Sequence, residues 1–126
     1  MATGQALSPA AAVTAAAVTN SPPVISTITL AAPNATTGAV VGTVKATDAN
    51  GDTMTYKATV ASAAKGTVAI TTAGVFTYTP TATARHAAAK VGATTATTTD
   101  TVTVTVTDAK GAVTTQAVTV DRKSVV

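Results

Sequence analysis

Two segments that alternate apolar and polar residues are joined by Thr47-Asp48-Ala49-Asn50-Gly51-Asp52, which places side-chain oxygens at positions 48, 50 and 52. Two chemistries use such a pattern. Calcium takes about six to eight oxygen ligands in irregular geometry, so closely spaced Asp and Asn on a loop are suitable donors. Asn-Gly is also a strong hairpin signal, and flanking carboxylates satisfy the N–H groups of a tight turn. The residues alone leave both uses open, and the two are compatible. An EF-hand is excluded, because Gly51 comes too early and no Glu follows at the required position. The chain has no Glu at all: its acidic residues are Asp48, Asp52, Asp100, Asp108 and Asp121.

The remaining residues offer little further chemistry. With no Cys there is neither a disulfide framework nor a thiolate metal site. His86 is the sole histidine and has Arg85 beside it. Ser21, Ser26 and Ser62 of the folded part lie in no nucleophile-elbow context, so no Ser–His–Asp arrangement is legible and the chain reads as no enzyme. His86 is expected on a helix surface or in packing. Asn34-Ala35-Thr36 forms a glycosylation sequon, a pattern short enough to recur by chance. Asp108-Ala109-Lys110-Gly111 reads as a turn; Lys110 stands where a metal loop would want an oxygen, which argues against a second site.

The net charge of +3 is spread one lysine to a segment, at Lys45, Lys57, Lys65, Lys90 and Lys110, and only 2% of residues are aromatic. Nucleic-acid binding needs basic groups clustered beside stacking rings, so no nucleic-acid partner is expected. No run is long and apolar enough to insert in a membrane. The opening MATGQALSP lacks the features of a secretory signal.

These loops need a scaffold, and period-2 alternation supplies one from Val24 onward. Residues 1–20 are small, Ala/Thr-rich and without alternation, and read as a flexible linker; residues 21–121 read as one domain and 122–126 as a tail. Strands are expected over VISTITL, with Val24, Ile28 and Leu30 inward, and over AVVGTVKAT, with Val40, Val44 and Ala46 inward. TMTYKATV follows, with Met54, Tyr56, Ala58 and Val60 inward, then GTVAI and VFTYTP as a hairpin whose Gly74 takes a positive φ. The clearest strand is DTVTVTVTD, in which Val102, Val104 and Val106 share one face. AVTTQAVTV is the last; Val113 is out of phase with Val118 and Val120, so a bulge is expected near Thr115. Phe76, Tyr78 and Tyr56 are the rings available to a thin core.

About seven short strands over roughly 100 residues is the pattern of an all-β, immunoglobulin/cadherin-like Greek-key β-sandwich. The long stretch between Pro80 and Thr99 is expected to cross between sheets before the penultimate strand, with a short helical turn within Ala84 to Lys90.

In NSPPV, GAVVGTVKATDANGDTMTY, GTVAITTAGVFTYTP and DTVTVTVTDAKGAVTTQAVTV, in that order, residues 20 to 120 resemble the bacterial cadherin-like repeats, including the VCBS-type. The Ala/Thr bias resembles versions from high-GC actinobacteria. The resemblance implies a secreted or cell-surface protein in which such domains serve as non-catalytic structural spacers or adhesive modules, monomeric, with neighbouring repeats of the same chain as partners. Cadherin-like repeats bind calcium through an Asp-x-Asp pair after the second strand together with an Asn near the N-terminal linker. Asp48 and Asn50 match that pair, with Asn for the second Asp; Asn20 matches the linker, and Asp52 adds a further oxygen. The implied calcium site is weak, because the carboxylates usually supplied by a preceding domain are absent. The rival reading is a carbohydrate- or protein-binding module for a host or cell-surface ligand, or an accessory domain of an exported enzyme.

Overall fold

Residues 19–122 are described by a computed structural model of the chain. The expected linker, apart from Thr19 and Asn20, and the tail beyond Arg122 lie outside the described residues. Seven strands and two short helices follow one another as β1 (Val24–Leu30), β2 (Val40–Thr47), β3 (Met54–Val60), β4 (Gly66–Ile70), β5 (Val75–Pro80), α1 (Ala82–Ala88), α2 (Thr95–Thr98), β6 (Thr99–Asp108) and β7 (Val113–Asp121). They form two antiparallel sheets, ordered β1-β2-β5-β4 and β3-β6-β7. That arrangement is the seven-stranded immunoglobulin-type sandwich expected from the alternation.

β6 shows why the pattern works. Its valines at 102, 104 and 106 are fully buried, while the threonines between them are half-exposed on the outer face. Opposite them, Val40, Val44, Phe76 and Tyr78 project from β2 and β5, and Val120 from β7 completes the buried cluster. Burying a Val or Phe side chain contributes about 1.5–3 kcal/mol. Glycines make room for the two largest rings. Gly42 pairs with Phe76 across the β2–β5 ladder, and a Cβ there would overlap the ring. Gly66 is related to Tyr78 in the same way, from the diagonal position on β4.

Three expectations need correction. In β1, Val24 and Leu30 are exposed, whereas Ile25 and Ile28 face the core. The register shifts between Ile25 and Thr27, so Ser26 is an extra residue that inverts the alternation. Its hydroxyl donates to the Lys45 carbonyl at 3.0 Å and holds the bulge. In β7, by contrast, pairing with β6 runs unbroken from Thr99↔Asp121 to Thr107↔Val113, with no bulge near Thr115. Val113 simply points outward, and Thr114 fills the inward slot by donating its hydroxyl to the Pro23 carbonyl. The helical turn starts two residues before Ala84, because the Thr81 side chain accepts from Ala84 N at 3.1 Å and caps it there. α2 is an element that the sequence did not announce.

The strand directions give the sandwich two poles. The incoming chain, the β2–β3 turn and the β6–β7 turn share the N-terminal pole. The β3–β4 loop, the helical crossover and the outgoing Arg122 share the C-terminal pole.

Candidate metal centre at the N-terminal pole

The β2–β3 and β6–β7 turns are nearly the same peptide, Thr47-Asp48-Ala49-Asn50-Gly51 and Thr107-Asp108-Ala109-Lys110-Gly111. They fold alike. Asp48 Oδ1 accepts from Asn50 N at 2.9 Å and Asp52 N at 3.2 Å; Asp108 Oδ1 accepts from Lys110 N and Ala112 N, both at 2.9 Å. The fifth residue is a glycine with φ of 74° in one turn and 91° in the other, a region that favours glycine. Each carboxylate therefore uses one oxygen to hold its own turn and keeps Oδ2 for something else.

The β3–β6 register, with Met54 opposite Asp108, brings the two turns together. Carboxylate oxygens of Asp48, Asp52 and Asp108 lie within 4.8 Å of one another. Asn20 closes the group, donating from Nδ2 to Asp108 Oδ2 at 2.9 Å. Three acceptors in this cluster, Asn20 Oδ1, Asp48 Oδ2 and Asp52 Oδ2, are buried and receive no hydrogen bond. Burial pushes the Asp108 carboxyl up, but the Asn20 amide and the N–H groups of Ala112, Lys110 and Gly111 outweigh it and hold the group below its ordinary value.

Of the residues expected to meet an ion, Asn20, Asp48 and Asp52 are brought together. Asn50 is engaged elsewhere: its Oδ1 accepts from Ser21 N at 2.8 Å and its Nδ2 donates to the Thr19 carbonyl at 3.3 Å. It fastens the incoming chain beside the cluster, which is what places Asn20. Asp108, read from sequence as a turn residue only, is the member that was missed. The duplicated Thr-Asp-Ala-x-Gly peptide was the available signal.

A cation fits this donor set. Paired charges at 4.8 Å repel by about 1–3.5 kcal/mol between aqueous and near-surface dielectric. The three unpartnered atoms of this cluster are all acceptors, and all are the hard oxygens that calcium prefers.

A second polar cluster lies at the C-terminal pole and was not foreseen. Asp100 Oδ2 accepts from the Tyr78 hydroxyl at 3.0 Å and lies 3.6 Å from Arg122 Nη2, with the two charged side chains 1% and 2% exposed. Arg122 Nη1 donates to the Thr97 carbonyl at 2.8 Å and the Ala96 carbonyl at 3.4 Å, so the guanidinium also fastens α2. Burial raises the Tyr78 hydroxyl to about 12; Arg122 acts against that rise and Asp100 with it. His86 is exposed on α1. Asn34 spends its Oδ1 on Thr36 N and Thr37 N, 2.8 and 2.9 Å away.

Among the described residues no helix is long and apolar enough to cross a membrane. The family model for a bacterial cadherin-like domain matches residues 20–124. No curated protein and no solved structure matches the chain.

Proposed function

We propose, from the premise that this chain belongs to the bacterial cadherin-like domain family, that it is a structural spacer or adhesive module of a larger secreted or cell-surface protein, rigidified by calcium at its N-terminal pole. The family is generally non-catalytic and typical of extracellular proteins. One observation carries the calcium reading: three buried acceptor oxygens without a donor, from Asn20, Asp48 and Asp52, gathered beside the Asp108 carboxylate. Asp48, Asp52, Asp108 and Asn20 would hold the ion, and its two positive charges would offset the repulsion among the carboxylates. Because Asn20 belongs to the incoming chain, the ion would also tie that segment to the sandwich.

The rival, a sugar-binding module, needs an exposed ring for stacking. Phe76 and Tyr78 are fully buried, and Tyr56 packs half-buried against the core. The module reading is the better supported.

Thermal melts with calcium and with chelator test it. With a Kd of about 10⁻⁴ to 10⁻³ M, about 10 mM calcium stabilises the folded state by roughly 1.4–2.7 kcal/mol. For a domain of this size that raises Tm by about 6–12 °C. Asp52→Asn and Asp108→Asn should each lose most of the rise. An unchanged Tm would remove calcium from the proposal.

A further inference from the structure

Asn50 is the one asparagine of the chain that precedes a glycine; Asn20 precedes Ser21 and Asn34 precedes Ala35. That order matters chemically, because a side-chain amide is open to attack by the next backbone nitrogen, and glycine has no Cβ to crowd the approach or restrict its own φ. Asn50 and Gly51 are both exposed. Apart from its chain neighbours, no atom lies within 4 Å of where a Cβ of Gly51 would stand, so solvent reaches this peptide.

The atoms that such an attack needs are nonetheless engaged. Asn50 Oδ1 accepts from Ser21 N at 2.8 Å, and Nδ2 donates to the Thr19 carbonyl at 3.3 Å. Gly51 N, the attacking atom, donates to the Asp48 carbonyl at 3.0 Å. The first two bonds come from the incoming chain, so it is that segment which fixes the carboxamide.

We propose that Asn50 is a site of spontaneous deamidation guarded by the incoming chain. The Gly51 nitrogen bonds to Asn50 Cγ, the Cγ–Nδ2 bond breaks, and Nδ2 leaves as ammonia with the proton that Gly51 N gave up. The cyclic imide then takes up a solvent water and opens at Cγ to Asp or at the main-chain carbonyl to isoaspartate. Attack requires the carboxamide to leave Thr19 and Ser21, so the rate follows the population in which the incoming chain is undocked. Both products then oppose redocking. A carboxylate has no proton for the Thr19 carbonyl and faces it as a second acceptor. Isoaspartate also adds a carbon to the backbone between the N–H groups of residues 50 and 52, the pair that Asp48 Oδ1 holds, so the turn no longer closes in the same way. The domain thereby keeps a one-way record of how long its entry segment has been free. This goes beyond the module reading and holds with or without an ion.

Incubating the full chain at neutral pH in chelator, folded and in urea, tests it, with peptide masses and an isoaspartate methyltransferase assay locating the product. In urea, conversion should fall on Asn50 and spare Asn20 and Asn34. Two hydrogen bonds to the incoming chain should slow it in the folded protein by about 5- to 150-fold. Ser21→Pro removes the N–H that Asn50 Oδ1 accepts, in a stretch already extended before Pro22, and should speed the folded reaction about two- to tenfold. Asn20→Ala, which releases the clasp on Asp108, should act in the same direction and serves where Ser21→Pro melts too low for a folded measurement. A folded rate equal to that in urea, a rate unmoved in a variant whose melt shows it folded, or conversion at Asn20 or Asn34 as fast as at Asn50 would overturn the proposal. The chelator keeps these outcomes separate from the calcium melts, which alone report the ion.

Discussion

Replacing Arg122 by Met probes the C-terminal cluster most directly. Met keeps most of the side-chain volume but removes the charge, leaving Asp100 with the Tyr78 hydroxyl at 3.0 Å and Thr101 N at 2.9 Å as donors and no cation. The carboxylate is 1% exposed, so water does not take over. Stranding one member of a buried pair costs about 3–5 kcal/mol, here a Tm loss of roughly 15–25 °C. Adding Asp100→Asn removes the stranded charge; its Oδ1 still accepts from Thr101 N, and its amide N–H donates to the Tyr78 hydroxyl oxygen in place of the lost acceptor. The double variant should therefore recover about 1–3 kcal/mol relative to Arg122→Met alone. Urea unfolding followed by circular dichroism is the assay, because the chain has no Trp, and a constant m-value would show that the midpoint shift reports stability. A double variant no more stable than Arg122→Met would refute the reasoning, since the cost would then come from lost packing or from the freed α2 carbonyls.

Other outcomes follow from single features. Gly42→Ala places a methyl against the Phe76 ring and should cost about 1–3 kcal/mol in urea unfolding, although its backbone needs no glycine. Val113→Thr should stay within about 0.5 kcal/mol of the parent while Val120→Ala costs about 2 kcal/mol or more, a contrast that checks which face of β7 is buried. Tyr78 has a folded pKa raised to about 12 against about 10 unfolded, so its contribution is whole below pH 10 and is lost as the pH rises toward 12. Alkaline unfolding of Tyr78→Phe should lack that component.

The strands were legible because Thr/Val alternation leaves a sheet as the one arrangement that gathers the valines on one face, as in β6. Gly74 was legible too, at φ 84° in the β4–β5 turn. Facing within β1 was not. One inserted serine inverts the parity, and nothing in VISTITL distinguishes a bulge at Ser26 from a regular strand. The candidate site was half legible. Local spacing marks a turn and its oxygens, but a cluster drawn from two turns 60 residues apart depends on the β3–β6 register, which no local pattern contains. The same holds for Asp100 and Arg122, brought together by β6–β7 pairing.

Asn20 and Arg122 are each fastened by a side chain to an end of β6, at Asp108 and at Asp100. Eight residues of extended chain separate those anchors, about 27 Å. When the two termini are pulled apart, tension passes from Asn20 into one end of this strand and out through Arg122 at the other. The pull runs lengthwise along the ladders on both flanks of β6, so their hydrogen bonds are sheared together and share the load instead of unzipping in turn. A protein stretched between a cell and what it grips would be held, in this domain, by its most deeply buried strand.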